Sequence, residues 1–212
     1  MFILSEKLLL EKFVKKGSLL FEATKAGTYT FQLPVSGVYK FDIYGAGGST
    51  GGSASTTSGH TSRGSGGSGA GGFFTCKLIK QVLSISVGAG GGINIWTPNR
   101  PSGGNTVITA TEGVLTCGGG TGGSGWGKYS CAAGVGGKYT NTIPFIENSL
   151  KNGNDGSTSM GGYVCLNGAA SVAPYALENM YTMRGGSGVI CTYSRTYDQQ
   201  YPSDGYVAIY KA

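Results

Sequence analysis

The chain has 212 residues, of which 41 are glycine, and it carries a formal net charge of +6 with only 12% charged residues. The irregular glycine spacing excludes a collagen triple helix, and a helical bundle is excluded over most of the chain because each interior glycine costs about 1 kcal/mol relative to alanine. No run approaches the ~20 apolar residues of a membrane-spanning helix, so we expect no membrane insertion. The basic residues are spread along the chain, which argues against nucleic-acid binding.

The N-terminal segment, residues 1–17, is expected to form a short amphipathic helix with Gly17 at its C-terminal cap. Its apolar arc consists of Phe2, Ile3, Leu9, Leu10, Phe13 and Val14. Glu6 and Lys7 interrupt the apolar run and no small-residue cleavage site follows, so we predict no signal peptide and folding in a cytoplasm. A helix this short needs a partner, which is its own domain, a sister subunit or a larger assembly, and we favour an assembly arm.

The rest of the chain, residues 18–212, is predicted to form one domain of short strands. Residues 27–34 and 38–44 alternate apolar and polar side chains, the pattern of half-buried strands. Further strands are predicted at 18–22, 73–79, 82–87, 106–109, 114–117, 188–193 and 205–210. The last two resemble a final hairpin, whereas residues 128–184 look irregular, with a turn at 152–156.

Three glycine-rich tracts, residues 45–72, 88–92 and 118–127, interrupt these strands. Loops of this length are normally either disordered or functional. Glycine-rich chains can also adopt extended helices of three residues per turn, like polyproline II, and such helices pack closely because no Cβ atoms intervene. The sequence therefore predicts a mainly β protein, an antiparallel sandwich with packed polyglycine-II-like segments.

The order of several motifs resembles a known family. Gly27-Thr28-Tyr29-Thr30-Phe31-Gln32-Leu33-Pro34 is followed by Gly37-Val38-Tyr39-Lys40-Phe41-Asp42-Ile43-Tyr44-Gly45-Ala46-Gly47-Gly48. Related features follow in order: Gly69-Ala70-Gly71-Gly72-Phe73, Val87-Gly88-Ala89-Gly90-Gly91, Gly103-Gly104-Asn105-Thr106-Val107 and Gly205-Tyr206-Val207-Ala208-Ile209-Tyr210. This pattern is similar to the glycine-rich domains of bacteriophage tail-fibre and virion-appendage proteins, loosely over residues 18–210.

The resemblance implies both a fold and a role. A distantly similar domain in the anaplastic lymphoma kinase receptor family combines a jelly-roll, tumour-necrosis-factor-like sandwich with packed polyglycine helices. For this chain the resemblance, together with the expected lack of a signal peptide, implies a virion location. The N-terminal helix lies outside the resemblance, and its apolar arc leads us to expect that it binds other virion proteins. Because trimers are common among fibres, we also expect a homotrimer. Domains of this family act as adhesins, spacers and decorations, so the resemblance alone does not choose among these roles.

Catalytic and metal-binding chemistry finds little support in the sequence. The single histidine, His60, lies in a glycine-serine tract that cannot hold it against a nucleophile. The five cysteines include no C-x-x-C pair, so buried free thiols are favoured over zinc or disulfides. Carboxylates on distant strands could still form a glycosidase pair. We expect no enzyme activity, no metal and no cofactor.

Recognition by aromatic and arginine side chains is the function that remains. Two loops carry such residues, namely Trp96 and Arg100 in one and Tyr193, Arg195, Tyr197 and Tyr201 in the other. Tyr, Trp and Arg dominate the energetics of many binding sites. For Trp96 and Trp126 a packing role, in which they cap the sandwich core or lie against the glycine segments, is favoured over recognition. The second loop could equally contact another subunit.

Three functions follow from these patterns. The first is a fibre, tail or capsid appendage that binds a host-surface glycan or protein without catalysing a reaction. The second is a capsid or tail decoration without a receptor, and the third is a depolymerase that cleaves surface polysaccharide. Binding to host cells separates the first from the second, and release of reducing sugar ends identifies the third.

Overall fold

A computed structural model describes residues 17–49, 63–92, 101–126, 130–159 and 202–212. The secondary structure of these residues consists of short strands. Their bounds are β1 Leu19–Ala23, β2 Gly27–Gln32, β3 Gly37–Tyr44, β4 Arg63–Gly64, β5 Gly71–Leu78, β6 Val82–Val87, β7 Thr106–Ala110, β8 Gly113–Cys117, β9 Ser124–Trp126, β10 Ser130–Ala132, β11 Tyr139–Asn141, β12 Glu147–Asn148, β13 Thr158–Ser159 and β14 Tyr206–Lys211. The predicted N-terminal helix and the predicted strand at 188–193 lie outside the described residues.

Ten of these strands form two antiparallel sheets of five strands each. The first sheet has the order β1-β14-β3-β5-β12, and the second has the order β11-β8-β7-β6-β2. The longest pairing joins β3 to β5, from Gly37 opposite Leu78 to Tyr44 opposite Gly71. The mainly β, antiparallel class predicted from the sequence is confirmed.

One hydrophobic core lies between the two sheets, because alternate side chains of each strand point inward. The first sheet contributes Phe41 and Phe74, whose rings stack with centroids 4.6 Å apart. The second contributes Ile85, Ile108 and Leu115, all fully buried. Burial of each such side chain is worth about 1.5–3 kcal/mol, so this shared core holds the sheets in a sandwich-like arrangement.

The predicted final hairpin is wrong. Strand β14 lies between β1 and β3 and pairs with both, so neither of its edges is free to bind residues 188–193. Side chains on both faces of β14 are buried from Tyr206 to Ile209. Such burial is typical of a central strand, and the apolar pattern that predicts a strand does not specify its neighbours.

Candidate functional site

Extended segments continue the strands beyond one end of the two sheets. They begin or end next to the strands in sequence, as at Tyr44–Gly45, Val87–Gly88 and Cys117–Gly118. We call this set the glycine bundle, and its segments are 45–49, 64–70, 88–92, 101–105, 118–123, 133–138, 151–157 and 202–205. Most of the described residues of the three predicted glycine tracts belong to it, and the rest lie in β4, β5 and β9.

The backbone hydrogen bonds of the glycine bundle follow a three-residue period. Along segment 45–49 the first and fourth N–H groups donate to segment 64–70, and the second and fifth donate to segment 101–105. The third N–H group donates to Ser203 in segment 202–205, and the N···O distances of all five bonds lie between 2.8 and 3.2 Å. Three successive residues thus contact three different neighbours, which is the geometry of packed helices with three residues per turn.

Segment 64–70 repeats this pattern inside the bundle. Its N–H groups at Ser65 and Ser68 donate to segment 151–157, whereas those at Gly67 and Ala70 donate to segment 118–123. In each of these two pairs, the donor residues are three positions apart in the sequence. Each chain is therefore held by several others, which satisfies backbone groups that would otherwise lie buried without partners.

Glycine is required in the bundle because the backbones approach closely. An added Cβ at Gly48, Gly66 or Gly120 would lie far inside van der Waals contact of a carbonyl oxygen on a neighbouring segment. In that direction a glycine Cα–H can instead point at the oxygen, a weak but recurrent contact. Positive φ angles are confined, among the described glycines, to Gly17, Gly27, Gly72 and Gly113, so Gly48, Gly66 and Gly120 serve packing and not unusual backbone conformation.

Small polar side chains complete the bundle's hydrogen bonding. The Oγ atoms of Ser65 and Ser68, both fully buried, accept hydrogen bonds from the N–H groups of Ser157 and Asn154 at 2.7 Å each. The Asp204 carboxylate accepts one bond from Gly90 at 2.8 Å and another from Ala26 at 2.9 Å. Asp204 thereby ties the bundle to the connection between β1 and β2.

The turn predicted at residues 152–156 is wrong, because this stretch is an extended segment of the bundle. The Gly153 and Gly156 N–H groups each donate at 2.8 Å, to the carbonyl oxygens of Gly137 and Gly134. Residues 133–138, which look irregular in sequence, form the partner segment. The signal available in the sequence was glycine repeated at intervals of three in both segments.

The far end of the bundle brings together the ends of several connecting segments. Ser49 donates a backbone hydrogen bond to Pro101 at 3.2 Å and an Oγ–H hydrogen bond to the Gly92 carbonyl at 2.8 Å. Strand β4 pairs with β13 there, with Arg63 opposite Ser159. These five residues define what we call the bundle tip, and they flank residues 50–62, 93–100 and the start of 160–201 in sequence.

The residues predicted for recognition and assembly lie outside the described part of the chain, and so does His60. The recognition residues are Trp96, Arg100, Tyr193, Arg195, Tyr197 and Tyr201, and the assembly residues are Phe2, Ile3, Leu9, Leu10, Phe13 and Val14. The side chain of Trp126 likewise lies outside the described part. Both sets therefore stay predictions. In the sequence, residues 93–100 run between two residues of the bundle tip, Gly92 and Pro101.

A tyrosine cluster that the sequence analysis did not identify lies on the outer face of the first sheet. The rings of Tyr44 and Tyr206 have centroids 6.2 Å apart, and the Tyr206 hydroxyl donates to a Glu22 carboxylate oxygen at 2.8 Å. Burial raises the pKa of both hydroxyls, and the Asp42 carboxylate raises the pKa of Tyr44 further. Both therefore stay protonated at neutral pH. The spacing of Asp42 and Tyr44, two residues apart on one strand, could have indicated their shared face.

The two cysteines whose side chains are described are structural. Cys76 and Cys117 are free and buried in the shared core. Burial raises the pKa of each thiol to about 12, so neither forms a thiolate at neutral pH, the form that reacts and binds metals. Within the described ranges no group of three or more His, Cys, Asp or Glu residues is placed to hold a metal ion. A helix long and apolar enough to cross a membrane is likewise not found in the part searched.

Comparison with known proteins gives no assignment. No protein-family model matches the chain, and no curated protein shows significant sequence similarity to it. The family resemblance described above therefore stays a prediction based on the motifs quoted for it.

Proposed function

We propose that this chain is a non-enzymatic structural protein of a bacteriophage particle, a fibre, tail or capsid appendage that attaches to the host surface. The observation that supports this best is the bundle tip. Loops held by a rigid scaffold are common carriers of binding function, and the interlocked backbones of the bundle fix the positions where several connecting segments begin and end.

The finer features of the proposal come from the resemblance and from the N-terminal pattern. The resemblance would give the two sheets the jelly-roll, tumour-necrosis-factor-like topology. The apolar arc of residues 1–17 would make this segment a helical arm bound to other virion proteins. The subunits would form a homotrimer in the virion after folding in the host cytoplasm. Gly17 has a φ of 80°, and nothing lies within 4 Å of the position that a Cβ atom would take there. It therefore supplies a suitable joint between arm and domain.

Host attachment is tested with the purified full-length chain and two loop variants. One variant carries Trp96→Ala and Arg100→Ala, and the other carries alanine at Tyr193, Arg195, Tyr197 and Tyr201. The matched control, Glu147→Ala with Asn148→Ala, changes exposed residues of the sheet-edge strand β12. Binding of fluorescently labelled protein to a panel of bacterial strains is measured by flow cytometry.

We expect the wild-type chain and the control to bind cells of a host strain, and at least one loop variant to bind at least tenfold more weakly, since aromatic and arginine anchors dominate such contacts. Equal binding by both loop variants and the control would contradict the assignment of these loops. Absence of binding to every strain would favour a decoration, and release of reducing sugar ends would indicate a depolymerase.

A further inference from the structure

The two predicted recognition loops rejoin the glycine bundle at prolines. The first recognition loop, residues 93–100, runs directly into Pro101, and the second, residues 193–201, runs directly into Pro202. The residues of both loops lie outside the described part of the chain, whereas both prolines lie within it. The prolines therefore show where each loop is anchored.

Both prolines contact the same short stretch of backbone. A Cβ atom added at Gly90 would meet the Pro202 carbonyl oxygen, and one added at the next residue, Gly91, would meet the Pro101 carbonyl oxygen. Consecutive Cα atoms are about 3.8 Å apart, and paired backbones lie about 5 Å apart. The two prolines are therefore within roughly 15 Å of each other.

The Asp204 carboxylate holds this junction together. One of its oxygens accepts a hydrogen bond from the Gly90 N–H at 2.8 Å, and the other accepts from the Ala26 N–H at 2.9 Å. The next residue, Gly205, donates its N–H to the Gly88 carbonyl oxygen at 2.8 Å. Hydrogen bonds to an ionised acceptor are roughly twice as strong as neutral ones. Asp204 thus fixes the segment that precedes the first recognition loop against the segment that follows the second.

Segment 45–49 supports the same junction from another side. Ser49 contacts both ends of the first recognition loop, through its hydrogen bonds to Gly92 and Pro101. The N–H group two residues earlier in the segment donates to the Ser203 carbonyl oxygen at 3.1 Å. Three hydrogen-bonded segments therefore meet where the two loops are anchored, and none of them can shift without breaking bonds to the others.

We infer that the two recognition loops form one binding site, with Asp204 as the residue that positions its two halves. The inference rests on the proposed function, because it assigns both loops to the same host ligand. A standard interface buries about 800 Å² per partner and is therefore roughly 28 Å across. Anchors within roughly 15 Å of each other lie inside one such footprint, so two separate partners of this size could not bind there together.

The test measures how strongly full-length variants bind cells of the strain that the wild-type chain binds best, by titration in flow cytometry. Asp204→Ala removes both hydrogen bonds of the carboxylate, whereas Asp204→Asn keeps one acceptor oxygen. The matched control is Asp155→Ala. The Asp155 carboxylate also accepts a bundle N–H at 2.8 Å, from Gly136, but it does so between segments 151–157 and 133–138.

We expect both loop variants described above to bind about tenfold more weakly or worse. Asp204→Ala should bind about fivefold more weakly with unchanged circular dichroism, Asp204→Asn should fall between it and the wild-type chain, and Asp155→Ala should bind like the wild-type chain. In a chain that already carries Trp96→Ala and Arg100→Ala, adding Asp204→Ala should weaken binding by less than about twofold. The relative position of the loops matters little once one loop has lost its contacts, whereas a purely structural role would weaken both backgrounds by the same factor.

The outcomes separate this inference from the proposed function. Weaker binding by only one of the two loop variants would overturn the single site and leave host attachment intact. Equal binding by Asp204→Ala and Asp155→Ala, or the same loss from Asp204→Ala in both backgrounds, would overturn the positioning role. A wild-type chain that binds no strain would contradict the proposed function itself, and the inference would fall with it.

Discussion

At the scale of single residues, two kinds of glycine occur in this protein. Gly17 has a φ of 80°, in the left-handed region that other residues rarely adopt. Gly120 in the bundle has no positive φ, yet an added Cβ would meet the carbonyl oxygens of Gly67 and Ser68. The first glycine is needed for its backbone conformation and the second for the space that its missing side chain leaves.

This distinction predicts different effects of the same substitution at two glycines. Gly120→Ala should lower the free energy of unfolding by roughly 2 kcal/mol or more, because the new methyl group meets backbone atoms that cannot move aside easily. Gly92→Ala is the matched control, since Gly92 is exposed and nothing lies within 4 Å of its Cβ position. It should leave stability unchanged or raise it by up to about 1 kcal/mol.

Urea unfolding of both variants at the same pH measures the difference. If Gly120→Ala and Gly92→Ala have the same midpoint as the wild-type chain, the close backbone packing described for the bundle is wrong at segment 118–123. A loss of stability in Gly92→Ala alone would contradict the described backbone packing equally.

The buried cysteines predict how stability changes with pH. Cys76 and Cys117 have pKa values raised to about 12 in the folded protein, whereas a cysteine in an unfolded chain ionises near about 8.5. The protonated thiols therefore stabilise the fold fully below about pH 8.5, and this contribution is lost as the pH rises toward 12. The loss reaches up to about 1.4 kcal/mol per pH unit for each cysteine.

Urea midpoints at pH 7.5, 8.5 and 9.5 check this expectation, a range below the usual pKa of unfolded tyrosine at about 10. The wild-type chain should lose stability steadily across the upper part of this range. The double variant Cys76→Ala, Cys117→Ala should start from a lower stability but show a shallower dependence on pH. Parallel curves for the two proteins would show that these thiols do not titrate as described.

At the scale of elements, the strands of the two sheets were the most predictable part. Residues 27–34 and 82–87 alternate apolar and polar side chains, and the structure places β2 and β6 there, within two residues of the predicted bounds. Alternation of apolar and polar residues predicts a strand because one face of each strand is buried. The neighbours of β14 were not predictable in this way, because the same pattern suits any antiparallel partner.

The glycine bundle was predictable in kind but not in extent. The three tracts richest in glycine predicted packed extended segments, whereas segments 133–138 and 151–157 have too many other residues to stand out. Asn154 and Asp155 suggested a turn by their local preference. Tertiary hydrogen bonds override that preference, since the Asn154 carbonyl accepts from Ser68 and the Asp155 carboxylate accepts from Gly136 at 2.8 Å.

At the scale of the whole molecule, the sheets and the bundle depend on each other. Ordering a glycine costs more conformational entropy than ordering any other residue, so isolated glycine segments would not stay extended. The strands fix one end of each segment, and the segments then satisfy each other's backbone groups. The proposed binding residues lie outside the described part of the chain and stay predictions. The aromatic and arginine content of a loop indicates a type of contact but does not specify where those side chains lie.

The central claim is that the glycine segments form a packed, hydrogen-bonded body continuous with the two sheets. Amide hydrogen exchange of the full-length chain, followed residue by residue by NMR, tests it most directly. We expect slow exchange at Gly48, Gly67 and Gly120, whose N–H groups donate within the bundle, with protection comparable to that of core strand residues such as Ile43 and Ile85. Fast exchange at all three glycines alongside protected sheet strands would show that the bundle does not form.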